Sequence, residues 1–411
     1  MKNHYRYQNA YTVLFSGILF NLTIQVLYVW SLVKDMMKSP ADQGGWGWSS
    51  QEAGLPYTVA IIFFALGVLV GGRIQDKTGP RIVASFGGTM VGSGLVISGL
   101  VGNDPVGITI GYGVITGLGI GFGYGSILPS CLKWFHPGRK GLIGGLVLGG
   151  FGLASVHYAF ITEALLVSAG IQRTLLSIGI AVTVLSVAAA QFIKNPPPDH
   201  VPGVPKNFTQ PLMLQKSTID FTWREMFKTK CFYLIFILFL FSSSIGLMII
   251  GNLTRIAGIQ AGVTGAAFLI SLVAVMNALG RIIGGYCSDK IGRENTLFVA
   301  IILQMLNILG FVIYQNIVVL TFGFILTGLC FGTFLAVFPA LTGDLYGLKN
   351  YGANYGIVYL AYGFAGVAAP VTADYFYAKH GNFNIAYIIC AVIMLLMIGI
   401  NILLKKEKQK K

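Results

Sequence analysis

Charge is what this sequence has least of. Acidic residues number 14 and Lys plus Arg 28 in 411 positions, so only 10% of the chain is charged. A soluble domain carries about a quarter. Such scarcity excludes an ordinary water-soluble domain. Cysteine is also sparse. Cys131, Cys231, Cys287, Cys330 and Cys390 lie mostly inside apolar runs and never in CxxC spacing, which argues against a disulfide framework or a metal cluster. No nucleophile–base pair and no ATP-binding motif stands out, so neither an enzyme nor an ATP-driven pump is expected, and no cofactor or metal. A cleavable signal peptide is not expected either, because the first apolar run is too long and others follow.

What the chain does contain is apolar length. Twelve candidate spans fall at roughly 10–33, 53–73, 82–101, 107–131, 141–168, 172–193, 231–254, 263–287, 295–314, 317–342, 352–375 and 382–404. Each is about long enough to cross a ~30 Å hydrocarbon core as a helix. The 54 glycines suit closely packed membrane helices. A net charge of +14 in a soluble protein would suggest nucleic acid. Here it sits in loops and tails: Lys2 and Arg6, then Arg73, Lys77 and Arg81, then Arg139 and Lys140, then Lys290 and Arg293, with Lys405, Lys406 and Lys408 at the end. The alternate loops are nearly free of basic residues. By the positive-inside rule both termini are expected on the cytoplasmic side of a cell (inner) membrane, and no nucleic-acid partner is expected. Residues 194–230 form the long polar stretch, rich in proline and lysine, and read as a cytoplasmic linker. Its end, Trp223 to Lys230, reads either as a short amphipathic piece on the membrane surface or as plain linker.

Two loops repeat. Gly72-x-x-x-Asp76-Lys77-x-Gly79-Pro80-Arg81 is matched by Gly285-x-x-x-Asp289-Lys290-x-Gly292-Arg293, with every matched position 213 residues apart. A repeat of half the chain implies two homologous halves, expected at 1–193 and 231–411. Glycine permits close helix approach and a tight turn, and the aspartate can cap a helix N-terminus or pair with a basic residue. The pattern resembles the signature loop of the major facilitator superfamily, over the whole chain. The resemblance implies an all-α membrane protein of twelve transmembrane helices in two pseudo-symmetric six-helix bundles. It also implies alternating access to one central site, gated near these loops.

Most charges stand at span ends. Arg281 does not. It lies in span 8, eight residues before Asp289, about 12 Å at ~1.5 Å per residue. An arginine near the midplane costs at least a few kcal/mol unless it faces a partner or a polar cavity. Asn277 is one turn earlier on the same helix face. No acidic residue lies at mid-span to neutralise the cation, and Glu163 is the nearest candidate. The substrate's own carboxylate is then the natural partner, because the guanidinium fork suits it. The competing reading is a structural arginine bound to backbone carbonyls. His157 in span 5 is a candidate proton relay or a packed histidine. Asp344 and Asp374 fall near span ends and are expected to be solvated.

The loop Trp134-Phe135-His136-Pro137-Gly138-Arg139-Lys140-Gly141-Leu142, Arg281, and the stretch from Asn350 to Tyr362 resemble the monocarboxylate transporter family and its bacterial oxalate:formate antiporter relatives. That resemblance carries the antiporter's binding arginine to Arg281 and its aromatic cage to Tyr28, Tyr124, Phe151, Phe331 and Tyr359. Leu335 stands where the antiporter has a tyrosine, and Tyr362 where it has a second binding cation, a lysine. Asn277 replaces the aspartate of the animal transporters, and Leu32 their span 1 lysine. One cation suits one carboxylate, so the expected substrate is a small monocarboxylate such as lactate or pyruvate, moved with a proton by a functional monomer. An oxalate and formate exchanger and a transporter-like membrane sensor are the alternatives. The segment Gln43-Gly44-Gly45-Trp46-Gly47-Trp48 nearly spells the family's span 1 signature but follows span 1, and reads as an outer loop with interfacial tryptophans. The glycines at 117, 119, 121, 123 and 125 follow no strand, so helix packing explains them better than dinucleotide binding.

Overall fold

The computed structural model describes residues 2–27, 29–197, 200, 220–263 and 267–409, without the side chains of 2–8, 31, 267, 370, 371 and 374. Its helices, in order, are α1 (Lys2–Ile24), α2 (Val29–Lys38), α3 (Ser50–Thr78), α4 (Pro80–Leu100), α5 (Pro105–Ile108), α6 (Gly117–Trp134), α7 (Lys140–Ala190), α8 (Trp223–Met226), α9 (Lys230–Gly251), α10 (Leu253–Ala261), α11 (Ala267–Ile291), α12 (Arg293–Phe311), α13 (Ile317–Tyr346), α14 (Tyr351–His380) and α15 (Asn384–Gln409). No strand occurs among the described residues. Among the described residues, nine helical stretches are long and apolar enough to span a membrane. The stretch holding α7 contains two passes, because Gly170 leaves helical geometry at φ 75° and ψ 177°. With α1 and α14 the passes number twelve, and the chain is an all-α membrane protein.

The chain divides into two compact units. One holds Met1–Phe135, Gly150–Pro202 and Tyr351–Gly356; the other holds His136–Gly149, Gly203–Asn350 and Ile357–Lys411. In the first unit, the odd-numbered glycines of α6 meet three helices: α3, α4 and, at Gly123, Phe20 and Ile24 of α1. A methyl group at Gly121 would lie within 2.6 Å of backbone at Phe64 and Gly67 on α3, while one at Gly119 would press on Val91 and Gly87 of α4. Small residues let these backbones meet, which is what holds helices together where lipid competes equally for apolar side chains.

Span 1 departs from expectation. It was expected unbroken over 10–33, but α1 stops at Ile24 and α2 restarts at Val29. No glycine or proline between them signals the break. The carbonyls at the break accept the amides of Val29 and Trp30 across the turn, and Tyr112 Oη adds a donor to Val26 O at 3.2 Å and to Leu27 O at 3.5 Å. Tyr112 itself sits in a π-helical segment, Thr109–Thr116, and stacks on Trp30 with ring centroids 4.2 Å apart. Backbone irregularity at membrane depth requires this kind of compensation.

The linker's far end is ordered against the second unit. Phe221 N donates to Tyr346 O, and Thr222 and Glu225 form a reciprocal capping box that starts the one-turn α8. Hydrogen bonds from the Thr222 amide and hydroxyl hold the Glu225 carboxyl below the usual carboxylate range. Residues 201–219 of the expected linker lie outside the described residues.

Candidate functional site

The repeated loops build the same device twice. In the first unit, Asp76 accepts hydrogen bonds from the amides of Gly352 (3.1 Å) and Ala353 (2.9 Å), at the start of α14. In the second, Asp289 accepts from Gly141 (2.9 Å) and Leu142 (2.7 Å), at the start of α7. Each aspartate satisfies two of the orphan amides of a helix's first turn and sits at its positive end. The glycines make the approach possible. A methyl group at Gly72 would lie 2.4 Å from Gly352 O, and one at Gly285 would lie 2.2 Å from Gly141 O. Gly79 and Gly292 turn the chain at φ 88° and 94°, where a side chain would be strained.

The two devices differ in charge. Arg293 binds Asp289 and, at 2.9 Å, Asp344; Lys140 Nζ binds Asp344 at 3.0 Å. Asp344 was expected to be solvated. Its side chain is 25% exposed and closes a four-residue ion cluster, because α13 carries it against the start of α7. Lys140 is part of this cluster although the sequence marks it only as a loop charge. In the first unit Pro80 stands 213 residues before Arg293, and Arg81 is exposed. Of Asp374, only the backbone is described.

This asymmetry has a measurable consequence. Asp289→Ala leaves two amides unpaired, about 1–3 kcal/mol, and also takes from the buried Arg293 one of its two carboxylates, Asp344 remaining. Asp76→Ala strands two amides, about 1–3 kcal/mol, and loses only the attraction of Lys133 besides. Thermal denaturation in detergent is expected to rank Asp289→Ala below Asp76→Ala, because Asp289 makes a direct ion pair with a buried arginine, with wild type highest.

Arg281 and Asn277 are each 4% exposed on α11. Arg281 Nε donates to Asn277 Oδ1 at 3.0 Å, and Nη1 donates to Leu148 O at 2.7 Å. The guanidinium is therefore oriented by two neutral acceptors, one of them the backbone carbonyl that the structural reading anticipated. Leu148 belongs to a glycine-spaced stripe of α7. A methyl group at Gly145 would lie 2.2 Å from Arg281 O, and Gly149 faces Ile282. On the other flank, a methyl group at Gly332 of α13 would lie 2.0 Å from Asn277 O and 2.9 Å from Arg281 N. Phe331, 5% exposed, and Leu335, 2% exposed, stand on that same helix.

The remaining predicted residues fall into two aromatic groups. In the first unit Tyr124, Phe151 and Phe64 form a triangle with centroid separations of 5.1 to 5.8 Å. In the second unit Tyr359 and Tyr362 stack at 5.0 Å, with Phe239 beside both and Phe338 stacked on Phe239 at 4.6 Å. Phe64, Phe239 and Phe338 were not anticipated, because nothing in an apolar run distinguishes a phenylalanine lining a cluster from one facing lipid. Leu32 lies partly exposed on α2, and Glu163 is exposed. His157 is half-buried, its ring 4.4 Å from that of Tyr158, whose hydroxyl donates to Thr23 O at 2.6 Å. Tyr28 lies outside the described residues.

A sequence profile of the Major Facilitator Superfamily matches residues 12–318 and 306–411. The chain belongs to this superfamily. Two bacterial relatives are each 26% identical: an MFS-type transporter of Escherichia coli K12, over 88% of this chain and 86% of its own, and the oxalate:formate antiporter of Oxalobacter formigenes, over 89% and 84%. Human monocarboxylate transporter 12 is 22% identical over 85% of this chain and 72% of its own. Among solved structures, the human organic anion transporter MFSD10 superposes with a TM-score of 0.72 at 13% identity, covering 96% of this chain and 99% of that one. The Escherichia coli fucose:proton symporter gives 0.69 at 12% identity, covering 96% and 99%. These likenesses show the fold. As a major facilitator, the protein is a multi-pass membrane transporter of small organic solutes and not an enzyme.

Proposed function

We propose that this transporter carries a small monocarboxylate, of the size of lactate or pyruvate, together with a proton by alternating access. The observation that carries the reading is Arg281: a buried arginine within an apolar helix, its fork held in one orientation by Asn277 and the Leu148 carbonyl. A planar, pre-oriented guanidinium suits a carboxylate and cannot shed its charge. Within the unit of Arg281, Phe331, Tyr359 and Tyr362 would supply apolar surface and hydroxyl donors for the rest of a small solute. Tyr362, in place of the antiporter's second binding cation, favours one carboxylate over two; Leu335 and Leu32 stand where relatives have a tyrosine and a lysine. His157 is the proposed proton relay. The loop charges support both termini facing the cytoplasm, across a cell (inner) membrane.

The 26% identity to an oxalate:formate antiporter supports a second reading, anion exchange. Uptake of labelled lactate, formate and oxalate into proteoliposomes separates the two. Symport predicts lactate uptake driven by an inward proton gradient with empty vesicles. Exchange predicts uptake only when the vesicles are preloaded with anion. Oxalate exchanged while lactate stays inert would overturn the proposed substrate.

A further inference from the structure

Behind α13, away from the Arg281 contacts, a polar cluster joins it to α12. Asn307 Nδ2 donates to Gly323 O at 2.9 Å and to Thr327 Oγ1 at 3.0 Å; Gln304 Nε2 donates to Thr327 Oγ1 at 3.3 Å. Gln304 and Asn307 are each 2% exposed and Thr327 is fully buried. Yet among the described residues Gln304 Oε1 and Asn307 Oδ1 have no hydrogen-bond partner. Buried amide oxygens are seldom left so, because each costs its full desolvation.

The other half of the repeat shows what this seam is like without the amides. Gln304 and Asn307 stand 213 residues after Val91 and Gly94. There the hydroxyl of Thr116 donates to Val91 O at 3.2 Å, and a methyl group at Gly94 would lie 2.4 Å from that hydroxyl. The same kind of seam is closed by threonine against backbone, with no amide side chain. The second half has exchanged a valine and a glycine for two amides and left two oxygens unanswered.

We infer that the Gln304–Asn307–Thr327 cluster is a binding site for one internal water that bridges α12 and α13. The hydrogen-bond count fits. Water donates to both amide oxygens and accepts the hydroxyl hydrogen of Thr327, whose oxygen already accepts two N–H groups; about three bonds is usual for a buried water. The count survives the ambiguity of amide orientation. Asn307 is fixed by donating to the Gly323 carbonyl. If Gln304 is turned end for end, its orphan becomes an N–H, which water also satisfies and a cation does not. A bare cation would in addition sit in an apolar bundle where, among the described residues, these three side chains bond only amide, hydroxyl and backbone groups, at a cost of several kcal/mol. The water-filled seam belongs to the second repeat alone.

The test uses the full-length transporter in lipid nanodiscs, imaged at a resolution that reveals ordered waters, with melting temperature measured in sodium chloride and in N-methylglucamine chloride. The expected result is a density peak within hydrogen-bond distance of Gln304, Asn307 and Thr327, none beside Thr116 and Val91, and the same melting temperature in both salts. An empty seam with the amides paired to protein groups overturns the site. A sodium-specific rise in melting temperature overturns its occupant in favour of a cation. A matching peak beside Thr116 overturns the asymmetry.

Discussion

Uptake by Arg281→Lys is expected to fall about a hundredfold, equivalent to about 2.7 kcal/mol of lost stabilisation, while the protein still folds. Lysine keeps the positive charge and loses the geometry. Its ammonium has no Nε to bond Asn277 Oδ1 and no second nitrogen to rest on Leu148 O, both of which hold the wild-type fork. A bidentate grip on a carboxylate needs the planar fork, so the exchange is not conservative. Asn277→Ala removes one of the two orienting contacts and leaves the charge, and is expected to lower uptake about tenfold on the same scale. Initial rates of labelled lactate uptake, read beside melting temperatures, separate lost binding from lost folding. Wild-type flux in Arg281→Lys would sink the site, because charge alone would then suffice.

Gly332→Val is expected to abolish folded protein. The β-carbon alone would lie 2.0 Å from Asn277 O and 2.9 Å from Arg281 N, and the neighbouring atoms are helix backbone that cannot turn aside. Valine adds two methyl groups, so α13 and α11 must separate. In lipid, close backbone contact at small residues supplies much of the association energy, and nothing hydrophobic replaces it. Overpacking of this kind costs at least about 1–3 kcal/mol even where side chains can yield. Gly399→Ala is the control, since a methyl group there meets nothing within 4 Å. Size-exclusion profiles and melting temperatures check both. A monodisperse Gly332→Val protein with wild-type melting would mean that these helices do not pack as described.

The proposed binding arginine was legible because a lone cation in an apolar run is conspicuous in one dimension. Its partners were only half legible. Asn277 is one helical turn away and could be counted along the chain, whereas the Leu148 carbonyl is backbone, which no residue type announces. Asp344 misled for a related reason: an acid near a span end reads as solvated until packing shows Lys140 and Arg293 at either side of it. The break after Ile24 left no composition signal: no glycine or proline marks it, and the Tyr112 hydroxyl that adds to its local backbone hydrogen bonds is 86 residues away.

Apolar length, loop charge and a spacing of 213 residues are properties of the chain itself. They were enough to establish twelve passes and a duplicated superfamily signature, since a membrane forces every spanning segment to satisfy its own backbone as a helix. What each signature aspartate does was settled only by tertiary structure. Asp76 caps a helix 276 residues away and Asp289 one 148 residues away, and Asp289 alone gained an arginine and, through it, an ion cluster. The two loops spell nearly the same words. They differ in strength because hydrogen bonds and ion pairs depend on which groups the fold brings within about 3 Å, and local sequence does not carry that distance.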